Sequence, residues 1–216
     1  MQLPDPTLVQ PEFLRRGFVV VGDALDLHKQ TALCDVALAL VKRRGANVDR
    51  TNAEKRLRYR VVAGDRIAAE GKPLFELYTR PAMLSWVRGV TGSSWLAPSP
   101  HLRSAININC LQSSGDRYPW HRDAVPHTVV LFLTSVPASA GGTFLIRAAD
   151  EGLARVQPRA GSLVLMDGTR CEHAVAPLTA DILRLSVPMV YPASAIERPA
   201  GLDEYLYGDV RERQLS

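Results

Sequence analysis

His121 and Asp123 stand two apart in YPWHRDAVPHTVVLFL, and in extended backbone alternate side chains share a face. One imidazole and one carboxylate then point the same way and clasp a single ion, while Arg122 points oppositely. A third ligand must come from elsewhere. His173 in TRCEHAVAP lies between the strand-like runs SLVLM and ILRLSVPMVY, where a neighbouring strand end would bring it close. Two imidazoles and one carboxylate occupy one triangular face of an octahedron and leave three positions open. That arrangement suits non-haem Fe(II), which must hold a bidentate cosubstrate and then O2.

The run ILRLSVPMVY supplies the next feature. Ile182, Arg184, Ser186 and Pro188 alternate with Leu183, Leu185, Val187 and Met189, so Arg184 faces the side opposite the apolar set. A guanidinium facing into a pocket matches a carboxylate through two parallel N–H donors, and the Ser186 hydroxyl adds a third. A zinc site is the metal-binding rival, since two imidazoles and a carboxylate also serve zinc hydrolases. Arg184 argues against it, because hydrolysis needs no buried anchor for a dicarboxylate.

With His121-x-Asp123, His173 and Arg184-x-Ser186 in hand, the chain resembles the Fe(II)- and 2-oxoglutarate-dependent oxygenases, whose fold is a double-stranded β-helix. SGDRYPWHRDA, GGTFLI and VQPRAGSLVLMDGTRCEHAVAPL extend the likeness over roughly residues 100 to 192. The upstream segments RLRYRVV and LFELYTRPAMLSWVRGVTG are similar to the small enzymes that hydroxylate or halogenate free amino acids in natural-product pathways. The resemblance implies Fe(II) on His121, Asp123 and His173, 2-oxoglutarate anchored by Arg184 and Ser186, and O2 as the oxidant. It also implies a polar side chain near the cosubstrate from SAININCL, for which Asn107 and Asn109 are the candidates. An ordinary cross-strand hydrogen bond is the alternative for either asparagine. By the same likeness Arg58 would clamp a substrate carboxylate, against the plainer reading of a solvated strand face, and Trp120 would wall the substrate pocket. In the related halogenases the carboxylate position is Gly or Ala, which frees a site for chloride; Asp123 fills it here and favours hydroxylation.

The rest of the chain must position these groups. Its 216 residues, 46% of them hydrophobic, suffice for one sizeable core. The expectation is one domain over 1–216 of α+β class: a helix-rich buttress over 1–99, a jelly-roll (cupin-like) core over 100–192 and a C-terminal extension over 193–216. Leu27 to Lys42 carries apolar residues at helical spacing, and PLFELYTRPAMLSWVRGVTG reads as two helices broken at Pro81 and closed by Gly89 or Gly92. PEFLRR reads as a polar lead into a strand over Gly17 to Val21, NVDRTNAEKR as a loop, and LRYRVV as a strand. Five further segments, SAININCL, HTVVLFLTS, GTFLIR, SLVLMD and ILRLSVPMVY, read as strands. Gly141 and Gly142 read as a hairpin turn, and Asp167 as a turn acid or a partner of His173.

Net charge is +4, spread over scattered arginines, so nucleic-acid binding is permitted but not indicated. The expected partner is a small-molecule substrate such as a free amino acid. The same chemistry on nucleic acid or protein, and a non-enzymatic small-molecule-binding barrel, remain alternatives. Three cysteines without metal-like spacing fit reduced thiols in the cytoplasm, and MQLPDPTLVQ reads as neither signal peptide nor membrane span.

Overall fold

A computed structural model describes residues 1–52, 55–148 and 152–193, with backbone alone for 49–52 and 55–58. The expected C-terminal extension therefore lies almost wholly outside the described residues. The chain begins with helix α1 (Pro6–Arg16), where the sequence reading expects a polar lead. Asp5 caps it by accepting from the Thr7 N–H at 2.9 Å, and Gly17 closes it by donating to the Phe13 carbonyl. Strand β1 (Phe18–Val21) follows, then helix α2 (Leu27–Arg44), capped by the Asp26 carboxylate on the Lys29 N–H.

The polar stretch after α2 is a hairpin rather than a loop. Strands β2 (Ala46–Asn52) and β3 (Lys55–Val62) pair in continuous antiparallel register from Ala46 opposite Val61 to Asn52 opposite Lys55. Three helices then pack together: α3 (Gly64–Glu70), α4 (Lys72–Thr79) and α5 (Pro81–Thr91), the last closed by Gly92. After the short α6 (Leu102–Ala105) come β4 (Ile108–Leu111), β5 (Tyr118–His121), β6 (His127–Phe132), β7 (Phe144–Ala148), β8 (Gly152–Val156), β9 (Leu163–Asp167), β10 (Glu172–Val175) and β11 (Arg184–Tyr191).

These strands form two antiparallel sheets. The larger has seven strands in the order β1, β9, β6, β11, β4, β3, β2, and the smaller four in the order β5, β10, β7, β8. Three strands from before residue 100 thus extend the larger sheet, so the helical half and the strand half share one framework. Alternation divides that sheet's side chains between two cores. Val19, Leu131, Leu165, Leu185, Val187 and Met189 pack against Leu33, Leu40, Ile67 and Trp86 of the helices. Phe18, Leu111, Val130, Phe132, Val164 and Met166 face the smaller sheet, where they meet Tyr118, Phe144, Ile146 and Val175. Each fully buried aliphatic or aromatic side chain contributes about 1.5 to 3 kcal/mol, so both cores stabilise the fold, the helix-facing one being the larger. This is the α+β, jelly-roll core expected from the strand pattern, the double-stranded β-helix that the resemblance implies, with helices covering the outer face of one sheet.

Candidate active site

The site is built where β5 and β10 lie side by side. His121 pairs directly with His173, whereas Tyr118 pairs with Val175, so β5 carries one extra residue over this interval. That bulge turns both Tyr118 and His121 toward the space between the sheets, their ring centroids 4.7 Å apart. The His121 and His173 rings lie 4.1 Å apart.

Each ring is oriented by a carbonyl two residues behind it. The Nδ1 of His121 lies 2.9 Å from the Pro119 carbonyl, and that of His173 lies 3.1 Å from the Cys171 carbonyl. A carbonyl accepts only, so each Nδ1 carries the proton and each Nε2 presents a lone pair. Both Nε2 atoms stand 3.7 Å from the same atom, Asp123 Oδ1. Burial, reinforced by the neighbouring His173, pushes the His121 pKa down to about 4, so its ring is neutral at pH 7.

Asp123 arrives differently from the sequence expectation. Strand β5 ends at His121, and Asp123 lies beyond it, so strand alternation does not aim the carboxylate. Its N–H donates to the Gly168 carbonyl at 2.9 Å, and its Oδ2 accepts from the Thr128 hydroxyl at 2.6 Å. The ligand atoms of His121, Asp123 and His173 all lie within 4.8 Å of one another, close enough for one ion to touch all three.

Deeper between the sheets, Arg184 is 1% exposed. Its Nε donates to the Gly142 carbonyl at 2.8 Å and its Nη1 to the Ser186 hydroxyl oxygen at 3.2 Å, while Nη2 is buried without a hydrogen-bond partner among the described residues. Burial lowers the guanidinium pKa to about 10, which leaves it charged at neutral pH. An unpaired N–H on a buried cation is costly unless an anion meets it. Aromatic rings connect this cation to the histidines: Arg184 lies 5.6 Å from the Phe132 ring, Phe132 is 6.1 Å from Phe144, and Phe144 is 5.6 Å from His173. Asn109 sits opposite Ser186 across the β4–β11 ladder and so shares its face. Asn107 precedes that strand, buried, its N–H on the Pro188 carbonyl.

Several expected residues fall elsewhere. Trp120 packs under the Arg147 guanidinium at 4.0 Å, and Arg147 also pairs with Glu172 on the exposed side of the smaller sheet. The bulge thus gives Tyr118 the inward place anticipated for Trp120. Asp167 is a turn acid that accepts from Thr169 and Arg170, and His173 takes its partner from Cys171 instead. Arg58 pairs through its backbone with Asp49, and its side chain lies outside the described residues. Its neighbour Arg60 donates to the Val41 carbonyl at the end of α2.

Gly141 and Gly142 do not close a hairpin as the sequence suggested, because β6 and β7 on either side of them belong to different sheets. The φ of Gly142 is +66° and its carbonyl orients the Arg184 guanidinium, and an added Cβ would lie 2.7 Å from Leu178 Cδ2 and 3.2 Å from Arg184 Cδ. Thr128 and Gly168, which hold Asp123, carried no sequence signal beyond a hydroxyl in a strand and a glycine after one.

A family profile described as Halogenase D matches residues 5–152, more than half of the chain. The chain belongs to the Halogenase D family. No curated protein shows detectable sequence similarity to this Halogenase D family member. Among solved structures it is similar to the non-heme alpha ketoglutarate dependent carbocyclase SnoK from nogalamycin biosynthesis, with TM-score 0.74, 17% identity, and 95% and 93% of the two chains covered. It is also similar to a prolyl hydroxylase from Trichoplax adhaerens in complex with a hypoxia inducible factor peptide, with TM-score 0.71, 18% identity and 87% and 89% covered. A third is an oxidoreductase of the 2OG-Fe(II) oxygenase family from Burkholderia pseudomallei, with TM-score 0.70, 16% identity and 89% and 93% covered. At such identities these likenesses establish the shared fold of this Halogenase D family protein.

Proposed function

We propose that this protein is an Fe(II)- and 2-oxoglutarate-dependent oxygenase that hydroxylates a C–H bond of a free amino acid or similar small molecule. The observation that carries the reading is the buried, unpaired Nη2 of Arg184, linked through Phe132 and Phe144 to a His, Asp, His cluster. Such a cation matches the distal carboxylate of a keto diacid whose other end chelates the metal. A hydrolytic zinc site would leave that cation without a purpose.

His121 and His173 would hold the ion through Nε2 and Asp123 through Oδ1. Bound Fe(II) and 2-oxoglutarate supply the oxidant: with O2 they convert a substrate C–H to C–OH while the cosubstrate leaves as succinate and CO2. The chain's own residues bind, orient and exclude water. Arg184 and Ser186 grip the distal carboxylate, with Asn109 and Asn107 as polar neighbours, and Phe132 and Phe144 keep the space between anchor and metal dry. Arg58, by resemblance to the amino-acid enzymes, is the candidate clamp for a substrate carboxylate. The name of the family profile notwithstanding, Asp123 fills the position that is Gly or Ala in the halogenases that the sequence resembles, which supports hydroxylation over chlorination. Among the described residues no helix is long and apolar enough to cross a membrane. With three free thiols, this fits work in the cytoplasm on a diffusible substrate.

A panel of free amino acids, each incubated aerobically with enzyme, Fe(II), chloride and 2-oxoglutarate, tests the reading. Succinate release coupled to a product gaining one oxygen atom is the expected result. A product gaining chlorine would overturn the hydroxylase reading, and no coupled turnover with any member would overturn the free amino-acid class.

A further inference from the structure

Asp123 lies past the last ladder pair of β5, yet both its N–H and its carboxylate are hydrogen-bonded. Thr128 on β6 is 2% exposed and donates its hydroxyl proton to Oδ2 at 2.6 Å. Gly168, just past β9, accepts the Asp123 N–H through its carbonyl and is itself pinned by its own N–H on the Pro126 carbonyl at 2.8 Å. A Cβ added to Gly168 would stand 2.4 Å from Asp123 Oδ2, 2.6 Å from its Cβ and 2.8 Å from its Cγ. The Gly168 backbone therefore forms the wall against which the carboxylate rests, and the Thr128 hydroxyl occupies the one oxygen that does not face the histidines.

We infer that Thr128 and Gly168 are positioning residues that hold Asp123 as a one-oxygen donor, an inference that rests on the metal-site reading above. A carboxylate that swings to offer both oxygens takes an additional coordination position. With two imidazoles already bound, that position is one the keto acid or O2 requires. A charge-assisted hydrogen bond to Oδ2 opposes the swing, and a residue without a side chain at 168 leaves the carboxylate room to sit edge-on to Thr128. An acid at 123 and a glycine at 168 are thus coupled choices in this chain.

Two measurements test this. The first is a thermal cycle on metal-free protein with Gly168→Ala, Asp123→Gly and the double variant. Gly168→Ala is expected to lower Tm by about 4 °C or more in the natural chain, and by less than half as much once the Asp123 side chain is gone. Equal losses in both backgrounds would overturn the coupling. The second is anaerobic titration of Thr128→Val and Thr128→Ser with Fe(II) and then 2-oxoglutarate, read by the visible charge-transfer absorption. Thr128→Val is expected to need roughly tenfold more 2-oxoglutarate, with Thr128→Ser restored to within about twofold of the natural chain. An unchanged Thr128→Val titration would remove Thr128 from this role while leaving the metal site standing. A His121→Ala control that still develops the natural absorption would instead overturn the metal-site reading and this inference with it.

Discussion

His121 and His173 face each other as a direct cross-strand pair on neighbouring antiparallel strands, 52 residues apart in sequence (173 − 121), with rings 4.1 Å apart. The pairing places the two imidazoles side by side through the backbone ladder itself. Asp123 lies beyond that ladder and is held by Thr128 and Gly168.

Removing a ligand should therefore abolish chemistry without unfolding the sandwich. His121→Ala or Asp123→Ala is expected to eliminate substrate-dependent succinate formation while far-ultraviolet circular dichroism stays that of the natural chain. Both side chains lie at the mouth of the space between the sheets and belong to neither apolar core, so the sandwich should fold without them. Retained turnover in either variant would reject their assignment as ligands.

Arg184→Gln should act on the cosubstrate. Loss of a charge-assisted contact worth about 1.5 to 3 kcal/mol raises the 2-oxoglutarate requirement roughly ten- to a hundredfold. Steady-state kinetics at saturating substrate measure this directly, and an unchanged KM for 2-oxoglutarate would take Arg184 out of the anchor role.

Gly142→Ala reaches the same anchor from the backbone. Its φ of +66° disfavours a side chain, and the new Cβ would press on Leu178 and Arg184. A stability loss of about 1 to 3 kcal/mol is expected, together with weaker 2-oxoglutarate binding. Denaturant unfolding and cosubstrate titration read the two effects; a stability loss with normal cosubstrate affinity would mean that the Gly142 carbonyl does not orient the guanidinium.

The buried thiols give a pH-dependent signature. Burial raises the pKa of both Cys110 and Cys171 to about 11, above the ordinary thiol value of 9.0. The folded chain keeps these protons where the unfolded chain releases them, so the stability they contribute is full below pH 9 and is lost as pH rises through 11. At pH 8, iodoacetamide should modify the half-buried Cys34 first and spare the other two until denaturant is added. Cys171 reacting as fast as Cys34 in folded protein would contradict the packing of its sulfur against Gly17 and the Arg16 carbonyl.

The central strands were legible, because HTVVLF and SLVLMD are apolar runs buried on both faces and RLSVPMVY carries Leu185, Val187 and Met189 on one buried face. The helix over Leu27 to Lys42 was legible by its periodicity, and the structure extends it to Arg44. What escaped were elements held by pairing or caps rather than burial. Helix α1 buries Phe13 alone among its residues, and β8 is an edge strand with no buried side chain, so neither carries a hydrophobic period. The β2 strand is polar because its ladder with β3 supplies the order. At the site, His121, Asp123 and His173, which the fold gathers within 4.8 Å, and the buried Arg184 stood out in the sequence by type and spacing. The bulge in β5 was not, and it is what swaps Trp120 outward and Tyr118 inward. Gly142, Thr128 and Gly168 were equally hidden, since a carbonyl, a hydroxyl and a missing side chain acquire meaning only through what they touch.

The most direct test is diffraction from crystals grown anaerobically with Fe(II) and 2-oxoglutarate, with data collected at the iron edge. The account predicts one anomalous peak per chain within bonding distance of His121 Nε2, His173 Nε2 and Asp123 Oδ1, and the cosubstrate's distal carboxylate on Arg184. An iron atom bound elsewhere, or three side chains that share no common ion, would contradict it.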